Sequence, residues 1–105
     1  MIRTQNRKII MTEGDFGLVL PITITGAEIS ENEKIKFCLR KTSGEDLIEP
    51  KVYNDIKNNT FDLIFTKAES DLIKRGTYLY YLDWYKENVF LGNIINGDIF
   101  EVEGK

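Results

Sequence analysis

Ten consecutive residues, GTYLYYLDWY at positions 76–85, hold four of the chain's five tyrosines and its only tryptophan. Counting by twos puts Tyr78, Tyr80, Leu82 and Trp84 on one face and Leu79, Tyr81, Asp83 and Tyr85 on the other, the period of a β-strand. The first face is apolar throughout. Aromatic side chains bury roughly 150–250 Å² each when enclosed, so this strand dominates any core the chain can build. A fold that places residues 76–85 centrally, between neighbours on both sides, is the one this stretch permits.

The rest of the chain supplies those neighbours. Residues 34–41, KIKFCLRK, alternate most clearly, with Ile35, Phe37 and Leu39 on one face and Lys34, Lys36, Cys38 and Arg40 on the other. In 17–25, GLVLPITIT, Leu18, Leu20, Ile22 and Ile24 define a half-buried strand, and Pro21, which lacks an N–H, argues for an edge or a bulge. Residues 7–11 read as a short edge strand, 47–53 as a weaker edge segment interrupted by Pro50, and 60–66 as a strand with Phe61, Leu63 and Phe65 inward. Thr66-Lys67-Ala68-Glu69 is a capping-box pattern. It predicts a helical turn near residues 67–74, with Ala68 and Leu72 on its buried side. If Glu87 and Asn88 form a two-residue turn, 89–95 returns beside the core strand, with Leu91 opposite Trp84, Ile95 opposite Tyr80 and Asn93 turned inward. A further turn at Asn96-Gly97-Asp98 leads into a last strand with Phe100 and Val102 inward. Short strands about ten residues apart, divided by Gly and Asn turns, predict a single all-β domain over residues 1–105. The expected form is an antiparallel β-sandwich of about seven strands. Gly76-Thr77-Tyr78 follows a helical turn and opens a strand, as the tyrosine corner does in immunoglobulin-type domains, and Tyr80 against Phe37 is expected to hold the core where such domains carry a disulfide.

Several chemistries are disfavoured. The chain has no His, the commonest general base and transition-metal ligand, so Ser/His and Cys/His nucleophiles are impossible. Glu13, Asp15, Asp46, Asp55 and Asp98 lie at turns without EF-hand spacing, so no metal and no cofactor are expected. Cys38, the only cysteine, lies on the mainly polar face of its strand and reads as a bystander thiol. Fourteen basic and 17 acidic residues are mixed along the chain for a net charge of −3, which makes nucleic acid an unlikely partner by charge pattern. Ile9 to Met11 is too short for a signal h-region and no run is long enough to span a bilayer, so neither secretion nor membrane insertion is expected. The outer face of the hairpin formed by 76–85 and 89–95 stands out. Leu79, Tyr81, Tyr85, Phe90 and Ile94 are expected to share it, either as a protein interface or beneath another part of the chain.

Gly14-Asp15 leading into LVLPITIT, then KIKFCLRK, then FDLIFTKAESDLIKRGTYLYYLDW, and finally VFLGNIINGDIFEV with Gly97 before Phe100 and Val102, form an ordered set that covers nearly the whole chain. In this the chain resembles the small immunoglobulin-like domain at the N-terminus of baseplate upper proteins and related tail proteins of phages of Gram-positive bacteria. The resemblance implies a non-enzymatic virion protein, assembled in the host cytoplasm, that acts by self-association or by docking to other tail or baseplate proteins. The alternative from another class is a module for cell-wall carbohydrate, with Tyr81 and Tyr85 stacking on sugar rings and Asp83 accepting hydroxyl protons.

Overall fold

A computed structural model describes residues 1–105. In chain order its elements are β1 (Ile2–Gln5), β2 (Lys8–Thr12), β3 (Leu20–Thr23), β4 (Glu33–Arg40), β5 (Lys51–Tyr53), β6 (Thr60–Leu63), α1 (Lys67–Leu72), β7 (Gly76–Lys86) and β8 (Val89–Glu103). Six strands form one sheet in the order β1-β2-β8-β7-β4-β5, and β3 pairs with β6 in a small second sheet. Ile35, Phe37, Leu39, Tyr80, Leu82, Phe100, Val102, Ile9 and Met11 from the large sheet meet Leu20, Phe61 and Leu63 from the small one in a single core. The fold is therefore an all-β sandwich with one short helix.

The aromatic stretch holds the central position. β7 pairs with β4 from Leu79 to Lys86 and with β8 along its whole length. Phe37 and Tyr80 stack with ring centroids 5.9 Å apart, and Phe65 meets Phe37 and Phe100 edge-on. The Tyr78 hydroxyl donates to the Lys74 carbonyl at 2.7 Å, closing a tyrosine corner four residues upstream. Tyr80, by contrast, donates its hydroxyl to the Arg7 carbonyl and so ties the first hairpin to the core strand. That hairpin turns through Asn6 and Arg7, both at positive φ, as a two-residue turn between right-twisted strands requires.

Where the sheet departs from expectation, the causes are local. β1 has no sequence signal, because IRTQ has no alternation to mark it; it pairs with β2 and packs Ile2 against the core. β2 lies parallel to β8, with Ile9 opposite Phe100 and Met11 opposite Val102, so the sandwich is mixed rather than purely antiparallel. Alternation reads the same in either direction, which leaves polarity to the tertiary path. The expected turn at Asn96-Gly97-Asp98 does not form: β8 runs unbroken through it, and Gly97 takes its positive φ of 87° within the strand. The capping box at Thr66 forms with both of its hydrogen bonds, but the helix buries Ser70 and leaves Ala68 and Leu72 exposed. Its six residues are oriented by the Lys51–Glu69 ion pair at 2.7 Å and by Ile73, fully buried just beyond it, rather than by their own apolar spacing. Pro21 sits on an edge strand, as expected, since β3 has no neighbour but β6. No helix is long and apolar enough to cross a membrane.

Candidate functional site

The outer face of the large sheet, turned away from β3 and β6, is built by alternate residues of β4, β7 and β8. Leu79 lies opposite Arg40 and Ile99, Tyr81 opposite Cys38 and Asn96, Asp83 opposite Lys36 and Asn93, and Tyr85 opposite Lys34 and Phe90. Four of the five side chains expected to share this face, Leu79, Tyr81, Tyr85 and Phe90, do so. Ile94 does not: it is packed against the core with Ile95, beside Tyr80 and Leu82.

Three bulges in β8 account for this. Pairing steps from Tyr80↔Asp98 to Tyr81↔Asn96, from Leu82↔Ile95 to Asp83↔Asn93, and from Trp84↔Gly92 to Tyr85↔Phe90, so Gly97, Ile94 and Leu91 are each an extra residue. An inserted residue reverses the facing of everything beyond it. Asn93 accordingly reaches the outer face instead of the core, where its Nδ2 donates to Asp83 Oδ1 at 2.6 Å. Leu91 is exposed rather than seated on Trp84, which lies opposite Gly92.

The face is not uniform. Around Tyr81 it is closed: the Arg40 guanidinium lies 4.6 Å from the ring centroid, and Arg40 is itself held by Asp46 at 3.0 Å. Cys38 is buried beneath, and burial raises its thiol pKa, which keeps it protonated and unreactive. Asp83 is 9% exposed and committed to Asn93. Around Tyr85 the face is open. Tyr85 and Phe90 meet edge to face at 5.5 Å, Phe90 remains 51% exposed, and Lys36 Nζ sits 5.9 Å from the Tyr85 centroid. At the other end of the stripe Ile99, 40% exposed, extends Leu79. Phe90 and Ile99 are thus open to solvent, and β1 and β2 continue the sheet at its edge.

Ile99 and the lysines Lys34 and Lys36 belong to this surface but were not singled out from the sequence. Ile99 was legible, since Phe100 and Val102 facing inward put Ile99 outward by alternation. The two lysines carry no signal of their own in a chain with 14 basic residues. No group of three or more His, Cys, Asp or Glu side chains converges to hold a metal ion. Compared with known proteins, the chain matches no family model, no curated protein and no solved structure.

Proposed function

We propose that this protein is a non-enzymatic structural component of a phage or prophage virion, associated with the tail or baseplate, and that it works by docking through the outer face of β4, β7 and β8. The observation that carries the docking is the partly exposed edge-to-face pair Tyr85–Phe90, with Leu79 and the exposed Ile99 on the same sheet face. Aromatic anchors of this kind, set in a partly apolar surface, are typical centres of protein interfaces. The virion assignment rests on the ordered resemblance from Gly14 to Val102 to the small domain of phage tail proteins. The neighbour it docks to is another tail protein or a second copy.

A wall-carbohydrate module would use the same face, and the geometry favours it less. Asp83, its candidate acceptor, is buried and bonded to Asn93, and Tyr81 is covered by Arg40, which leaves one ring pair for stacking. Light scattering on the protein alone and mixed with the tail proteins encoded beside it tests the proposal. Assembly is expected for the wild type and lost in Tyr85→Ser/Phe90→Ser. A monomer at high concentration that ignores its neighbours, or binding unchanged in that variant, sinks it; a wall-glycan titration that quenches Trp and Tyr fluorescence would favour the carbohydrate reading.

A further inference from the structure

The open end of the docking face carries charge as well as aromatic area. Lys34 and Lys36 project from alternate positions of β4, and neither takes part in an ion pair, although Lys8, Lys41, Lys51 and Lys67 all do. Together with Tyr85, Asn88 and Val52 they line a shallow pocket of about 230 Å³. The acid nearest in register is Asp83, opposite Lys36; it is buried and its Oδ1 is taken by Asn93, and the remaining cation of the strand, Arg40, is already bound to Asp46. The pocket thus presents two ammonium groups that no ion pair holds, beside the partly exposed Tyr85–Phe90 pair, in a chain whose net charge is −3.

We infer that this pocket receives an acidic side chain from an extended segment of the partner protein. The inference rests on the docking reading above and names its chemistry. Charge complementarity calls for a carboxylate, because neither lysine is engaged in an ion pair and a negative group between them gains from both. An extended peptide is favoured over a bulky polyanion by what borders the pocket. Val52 lies on β5, the last strand of the large sheet, whose far edge has no partner, so a peptide can run along that edge and set alternate side chains towards Lys34 and Lys36. Of the other open edges, those of β3 and β8 suit a strand poorly. The Ile24 N–H bonds the Asn59 carbonyl, so by alternation Pro21 faces the free side of β3 and offers no N–H there, and the free length of β8 is broken by its bulges.

The test titrates the whole protein, by calorimetry at low salt, with three probes: a seven-residue peptide of alternating Glu and Val, its Gln counterpart, and poly(glycerol phosphate). The Glu peptide should bind roughly five- to tenfold more tightly than the Gln peptide, as two half-exposed ion pairs allow, and added salt should erase the difference. Lys34→Gln/Lys36→Gln, which removes charge at two surface positions, should bring the two peptides to equal affinity. Equal affinity for both peptides in the wild type, or a preference that survives the double substitution, overturns the inference. So does binding of poly(glycerol phosphate) without binding of the Glu peptide. Docking to the tail neighbours separates this from the broader reading: if it survives the lysine substitutions but fails in Tyr85→Ser/Phe90→Ser, the acidic segment falls and the docking face stands.

Discussion

Asp98 to Glu103 and Val89 to Gly97 are two halves of one strand, yet they are organised differently. The later half lies between β7 and β2, keeps strict register with both, and buries Phe100 and Val102 completely or nearly so. The earlier half pairs with β7 alone, admits three extra residues, and leaves Val89, Phe90 and Leu91 exposed at the hairpin end. A strand with ladders on both edges cannot take in a residue without breaking one of them, whereas a strand with a free edge can. The same freedom that bulges the earlier half also defends it, since a bulged edge is a poor template for indiscriminate pairing. The apolar side chains that remain are presented on the face instead of the edge.

The contrast can be broken most directly by truncating one ring from each half. Phe100→Ala, which empties a fully buried site beside Phe65, should lower stability by about 3–5 kcal/mol in urea unfolding, whereas Phe90→Ala should change it by only about 0.5 kcal/mol. Comparable losses in the two variants would mean that the earlier half is as tightly integrated as the later one. Next in size is an alkaline effect. Burial, aided by the charge of Asp98, pushes the Tyr80 hydroxyl up from 10.0 to about 12, and burial does the same for Tyr53. The unfolded chain releases these protons first, so stability is full below pH 10 and declines as the pH rises towards 12; two units on one group correspond to about 2.7 kcal/mol. Tyr80→Phe should remove roughly half of that decline in unfolding curves taken between pH 9 and 12. An unaltered alkaline slope would place the Tyr80 hydroxyl in solvent rather than against Arg7.

The smallest of the three effects probes the bulge where the halves join. Gly97 has a φ of 87°, and a Cβ there would lie 3.4 Å from the Tyr81 hydroxyl. Gly97→Ala should cost about 1–2 kcal/mol, with amide shifts concentrated at Tyr81 and Asn96. Asn, which tolerates left-handed backbone better, should cost less. A neutral Gly97→Ala would show that this bulge can relax to regular pairing.

Much of the docking face was legible because alternation is reliable wherever pairing is regular. Leu79, Tyr81 and Tyr85 on β7 fall where counting by twos puts them, and Phe90 follows from the two-residue turn at Glu87-Asn88. Beyond Phe90 the count fails at Leu91, Ile94 and Gly97 in turn. Nothing in VFLGNIING marks a bulge except its two glycines, and Gly97 reads equally well as a turn. Ile94 was misplaced for that reason, and Asn93 with it.

The amino-acid sequence by itself determined that residues 76–85 form the central strand, that Tyr80 packs on Phe37, that Tyr78 closes a corner, and that a capped helical turn precedes them. All of these follow from side-chain size, period-two spacing and short-range hydrogen bonds. Only the tertiary structure decided that β2 runs parallel to β8, which face of α1 is buried, where β8 bulges, and that Arg40 closes one end of the outer face while Lys34 and Lys36 are left without partners at the other. Those outcomes depend on groups far apart in the chain, and local spacing carries no information about which of them will meet.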